Sequence, residues 1–183
     1  MVNFPVPRAD SAEVLRRAAF RNPSAAEQSL LDSVLAETEG IFDYSILEKP
    51  LPLSVLSEDE ILRDKLSGAD VLILFTASLG GKAAALLREA AEEDPDRAIF
   101  LRALYAERLD ALCEAFCDAK EALLADGGFL TPRFTPGQNF PLSFDKNDTS
   151  LIQLLGICAT PQEHTAARCR TCFAAGSCSF RKS

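Results

Sequence analysis

Apolar residues along this chain change period several times, and each change marks an expected element. Leu30, Leu31, Val34 and Leu35 recur at helical spacing and predict a helix over 25–39. Ser24-Ala25-Ala26-Glu27 ahead of it fits a capping box, in which the serine accepts from the third amide and the glutamate reaches back. A shorter helix is expected over 12–20 with Ser11 as its cap, closed by Asn22-Pro23. Phe42, Tyr44 and Ile46 then alternate with polar residues, which predicts a strand within 41–53. Pro50 and Pro52 put the far end of that strand at an edge or outside a sheet.

The unbroken run Val71-Leu72-Ile73-Leu74-Phe75 reads as a strand buried on both faces. A short helix over 57–66 precedes it, and an alanine-rich helix follows the turn Thr76 to Lys82. A long helix is expected over 98–125, stopped by Gly127-Gly128. Tyr105, Leu109, Leu112 and Phe116 form its apolar stripe, and Glu107, Asp110, Glu114, Asp118 and Glu121 form an acidic stripe read as a solvated face. Pro132 to Pro141 is a stiff bend, because proline lacks the donor and the conformational range of a helical residue. Asp145 is then expected to cap a helix ending near Leu155. Helices interleaved with strands in this order predict an α+β single domain, its mixed or antiparallel sheet flanked by helices.

Composition narrows the function classes. The 183 residues carry 19 basic and 27 acidic side chains, a formal charge of -8. That balance argues against a nucleic-acid partner and against an anionic membrane surface. The longest apolar run is too short to span a bilayer, and Met1-Val2-Asn3-Phe4-Pro5 has no signal-peptide character. A cytoplasmic location is the expectation, and there six cysteines read as thiols or metal ligands.

Thr76 to Lys82 is not a P-loop, since Thr76 replaces the first glycine and Ala83 the magnesium-binding hydroxyl, so it reads as a plain turn. Cys113 and Cys117, one turn apart beside Leu112 and Phe116, read as core packing. Cys158, Cys169, Cys172 and Cys178, with His164 inside the span, offer ligands for zinc or an iron-sulfur cluster; the other reading is a reduced terminus. Arg133, beside the Pro136-Gly137 turn, suits capture of a carboxylate or phosphate, although arginines at such turns are also plain surface residues.

Four segments together resemble the activation domain of cobalamin-dependent methionine synthase, in its small stand-alone form. They are Leu109 to Phe116, the Arg-x-x-Pro-Gly element of Arg133 to Gly137, Phe140-Pro141-Leu142 with Leu151 to Leu155, and the tail Cys169-x2-Cys172-x5-Cys178-x2-Arg181. Val14 to Phe20 is similar to the first helix of the same proteins. The resemblance implies an activation-like domain over 1–157 and a cysteine-rich tail over 158–183. It implies S-adenosylmethionine as cofactor, its carboxylate gripped by Arg133 and its approach provided by the backbone of Pro136 and Gly137, with Gln138 also at the cofactor-binding site. Gln138 stands where the family has tyrosine. The implied partners are a cobalamin-binding methionine synthase or other corrinoid protein and a flavodoxin- or ferredoxin-type electron donor. The implied role is an accessory or reactivation component of methyl transfer, not a complete enzyme. The alternative is a metal-binding regulatory or scaffold protein on the same fold, with zinc or an iron-sulfur cluster in the tail and no S-adenosylmethionine.

Overall fold

Two apolar runs far apart in sequence pair at the centre of the molecule. β2 (Val71–Ser78) and β4 (Ser150–Cys158) are neighbours in a four-stranded antiparallel sheet of order β1-β2-β4-β3, with β1 (Ser45–Leu51) and β3 (Phe129–Leu130) at its edges. The computed structural model describes residues 4–56, 60–66, 68–124, 128–136 and 149–158. Ile73 stands opposite Leu155 and Leu74 opposite Leu154, so the register brings like faces together. Ile73, Phe75, Ala77 and Leu155 point into one core cluster with α1 (Ser11–Arg17), α2 (Ala25–Glu37), α4 (Gly81–Glu93) and α5 (Pro95–Glu121). Leu72, Leu74 and Leu154 point the other way, against Leu56 of a 3-10 turn and Leu62 and Leu66 at α3 (Glu60–Lys65). The α+β class expected from the sequence is the class observed.

Covering both faces explains one correction. Leu151 to Leu155, expected at the end of a helix capped by Asp145, lies inside β4. A central strand buried on both sides loses the polar alternation that marks a strand, and its apolar spacing then imitates a helix. Asp145 itself lies outside the described residues. Pro50 sits within edge strand β1, where a missing donor disturbs no inner ladder. β1 starts later than the alternation suggested: Phe42 and Tyr44 precede it, and the Phe42 ring meets Tyr105 edge-on at 5.7 Å.

Local chemistry fixes the helix starts. Ser24 and Glu27 form the expected capping box of α2. α1 is capped by Asp10, not Ser11, because the Asp10 carboxylate accepts from the amides of Ala12 (2.9 Å) and Glu13 (3.3 Å). α5 begins three residues earlier than expected, with Pro95 in its first turn and Asp94 accepting from the Arg97 amide at 3.0 Å. Gly80 makes the exit from β2 into α4, at φ +87°, where a side chain would meet Asp43 Cβ at 2.8 Å. Phe116 of α5 packs on Phe75 with ring centroids 4.5 Å apart, and Phe4 packs edge-on from the N-terminal segment at 5.8 Å. No described helix is long and apolar enough to cross a membrane.

Candidate functional site

After β3 the chain runs on in an extended conformation along the outer edge of β4. Thr131 N donates to Gly156 O at 2.9 Å, and the Thr131 hydroxyl accepts from Gly156 N at 2.8 Å. Phe134 and Leu154 exchange backbone hydrogen bonds of 2.8 and 2.7 Å. Pro132 has no donor, and an edge tolerates that. Extended backbone sends successive side chains to opposite faces. The Phe134 ring accordingly joins the α3-side cluster, with Lys65 Nζ 5.2 Å from its centroid. Thr135, on the other face, accepts through its hydroxyl from Gln153 Nε2 at 2.8 Å.

Arg133 also turns to that other face and lies against α5. Its side chain is only 13% exposed, so it is not the surface arginine that a Pro-Gly turn allows. Nη2 stands 3.5 Å from Asp110 Oδ1 and 3.9 Å from Glu114 Oε1. Both separations exceed a charge-assisted hydrogen bond of about 2.7–2.9 Å, so neither carboxylate saturates the guanidinium. Nη1 is buried with no hydrogen-bond partner among the described residues. Asp110 is shared: its Oδ2 accepts from Arg17 Nη2 on α1 at 2.5 Å.

Two thiols complete this face. Burial pushes the Cys113 thiol up to about 12, with Arg133 opposing the rise. Burial likewise pushes Cys117 up to about 11, again against Arg133. Asp110, Cys113, Glu114 and Cys117 follow one another at steps of three, one and three, which is one side of a helix.

The acidic stripe of α5 therefore needs correction as a solvated face. Glu107 is 8% exposed and paired with Arg108, and Asp110 is divided between two arginines. Glu114, Asp118 and Glu121 do face outward. The sequence carried one overlooked signal: helical periodicity puts two cysteines between Asp110 and Glu114 and the core, so these acids border a buried seam. Thr135 and Gln153 had no recognisable signal, because their pairing depends on strand register.

The remaining candidates are dispersed. Pro136 is half-buried at the end of the described bend, and Gly137 and Gln138 lie outside the described residues. Cys158 is 2% exposed at the end of β4, opposite Phe129 and inside the α3-side cluster. Cys169, Cys172, Cys178 and His164 lie outside the described residues. Among the described residues no group of three or more His, Cys, Asp or Glu is gathered to hold a metal ion. Thr76 to Lys82 is a turn between β2 and α4, as its sequence suggests.

Three distant segments thus converge here: the α5 stretch Leu109 to Phe116, the bend 131–136, and Leu151 to Leu155 of β4. No protein-family model matches the chain, and no curated protein matches it.

Proposed function

We propose that this chain is an S-adenosylmethionine-binding accessory protein that supports reductive methylation of a cobalamin carried by a partner such as methionine synthase. One observation carries the reading. Arg133 holds a nearly buried guanidinium against Asp110 and Glu114 with Nη1 lacking a hydrogen-bond partner among the described residues. A buried donor without a partner costs stability of about 1–3 kcal/mol, which a ligand acceptor would recover. A carboxylate at Nη1 meets that need, and two acids beside it suit a neighbouring ammonium or sulfonium. The donor set therefore fits the amino-acid end of S-adenosylmethionine.

When bound, the cofactor supplies a transferable methyl group through its sulfonium. The chain's own contribution is placement. Arg133 grips the carboxylate; Asp110 and Glu114 offset the positive charge; Pro136, Gly137 and Gln138 remain the cofactor-binding residues that the resemblance assigns. The Phe134–Leu154 bridge and the Gln153–Thr135 bond hold the bend to the sheet, so Arg133 is carried on preorganised backbone. A flavodoxin- or ferredoxin-type donor supplies the electron to the corrinoid partner, in the cytoplasm.

The experiment is calorimetric titration of the full chain with S-adenosylmethionine. We expect saturable binding that Arg133→Ala removes while circular dichroism stays unchanged. A silent titration of the folded wild type overturns the reading. Silence combined with stoichiometric zinc or iron in anaerobically purified protein favours the metal-binding alternative, through Cys158, Cys169, Cys172 and Cys178. Co-purification of a cobalamin-binding protein from the native host tests the partner separately.

A further inference from the structure

Asp110 stands between two arginines and serves them unequally. Its Oδ2 accepts from Arg17 Nη2 at 2.5 Å, whereas its Oδ1 is 3.5 Å from Arg133 Nη2. The first is a closed charge-assisted hydrogen bond and the second is too long to be one. Burial does not impose the difference, because the Asp110 side chain is 38% exposed and has room to turn. Arg17 is what holds it. Arg17 is fixed in its own turn, since its Nε donates to Glu13 Oε1 at 2.7 Å. Glu13 also accepts from Arg16 Nε and Nη2, at 2.6 Å each, and the bonding to Arg16 above all brings its carboxyl down to about 2. A line of paired charges therefore runs from α1 across α5 to the bend: Arg16, Glu13, Arg17, Asp110, Arg133. Glu114, 61% exposed and 3.9 Å from Arg133, is a solvated neighbour that adds little.

We infer that Arg17 is a positioning residue for ligand capture: by holding Asp110 it keeps that carboxylate from closing on Arg133, and so leaves the guanidinium open to the carboxylate of an amino-acid ligand. The inference rests on the carboxylate-binding reading of Arg133 and goes beyond it by naming what controls that site. The two carboxylates are rivals for one guanidinium. Closing the gap from 3.5 Å to about 2.8 Å takes only a small turn of Asp110. Asp110 belongs to the same chain, so once released it competes at a high effective concentration. Loss of Arg17 would weaken an anionic ligand through charge alone as well. The two causes separate when Asp110 is made neutral, because the rival is then gone and only the through-space charge effect remains.

The test has two arms on the full chain, at about 0.15 M salt, where exposed charges are screened beyond about 8 Å. Both use Arg17→Met, which keeps the apolar stem and removes the charge. The first arm needs no ligand. Urea unfolding of Asp110→Asn, Arg133→Gln and their combination gives the Asp110–Arg133 coupling, once with Arg17 and once with Arg17→Met. We expect little coupling with Arg17 and about fivefold in the unfolding constant without it. Equal coupling in both overturns the inference. The second arm titrates S-adenosylmethionine by calorimetry. Arg17→Met should weaken binding about tenfold where Asp110 is present and less than about twofold on the Asp110→Asn background. Arg17→Lys, which keeps a charge on Asp110, should recover most of the loss. The same loss on both backgrounds assigns Arg17 to charge alone and overturns the inference. If Arg17→Met fails to fold, Arg17→Gln takes its place throughout. A silent wild-type titration overturns the cofactor reading, and the ligand-free coupling then decides the role of Arg17 by itself.

Discussion

Glu107 and Arg108 are consecutive on α5, yet their side chains form an ion pair of 2.5 Å with 8% and 4% exposure. Adjacent helical positions do not face each other. These two meet because both bend toward the N-terminal segment. Arg108 donates to the carbonyls of Pro7 and Arg8, and Glu107 accepts weakly from the Asp10 amide at 3.4 Å. The pair therefore ties residues 7–10 to the middle of the helix that also carries the Arg133 site.

Removing one member leaves a buried charge uncompensated. Glu107→Ala and Arg108→Ala should each cost about 3–5 kcal/mol. The double variant should cost less than the sum, by a coupling of about 0.5–3 kcal/mol. Urea unfolding midpoints of the four proteins check this, and additive costs would show that the pair does not act as a unit.

Tyr105 offers the opposite sign. Its ring is 1% exposed, and its hydroxyl has no hydrogen-bond partner among the described residues. Tyr105→Phe removes the oxygen and keeps the ring packing, so it should be neutral or stabilising by about 1 kcal/mol. Thermal denaturation reads this directly; a fall in Tm of several degrees would reveal a partner for the hydroxyl.

The thiols set an alkaline limit. Burial holds Cys113 near 12 and Cys117 near 11, whereas unfolded thiols titrate near ~8.5. The folded state keeps protons that the unfolded chain releases. Stability from the neutral thiols is therefore complete below about pH 8.5 and declines as pH rises toward the folded values, by up to about 1.4 kcal/mol per group per pH unit. Urea midpoints at pH 8 and pH 10 should differ in the wild type, and Cys113→Ala should shrink that difference. An unchanged difference would assign the alkaline loss to other groups.

Gly156 faces a tight contact across the sheet. A Cβ there would lie 2.7 Å from Ala69 Cβ and 3.0 Å from Thr131 Cγ2. Gly156→Ala should cost about 1–3 kcal/mol through overpacking. Ala69→Gly in the same chain should recover part of the loss, and chemical denaturation of the single and double variants measures both.

Much of this molecule is readable from local chemistry alone. The Ser24–Glu27 box and the β2 run each act within a few residues, so one stretch of sequence contains the whole cause. β4 was not legible, because its identity rests on being covered from both sides by elements distant in the chain, from α1 on one face to α3 on the other. Arg108 went unnoticed for a similar reason: an arginine in a helix reads as solvated until a carbonyl-bearing segment is laid over it.

The candidate site divides in the same way. Sequence alone determined that Arg133 sits on a stiff, non-helical bend, and that Cys113 and Cys117 lie one turn apart beside the apolar stripe of α5. Tertiary structure decided that the bend becomes an edge of the sheet and that strand alternation turns Arg133 toward α5 and Phe134 away from it. Which face a side chain takes depends on register, and register is fixed by the pairing of Phe134 with Leu154 and of β4 with β2. A shift by one residue would have sent the guanidinium to the opposite side of the sheet, and no pattern within residues 131–136 distinguishes the two.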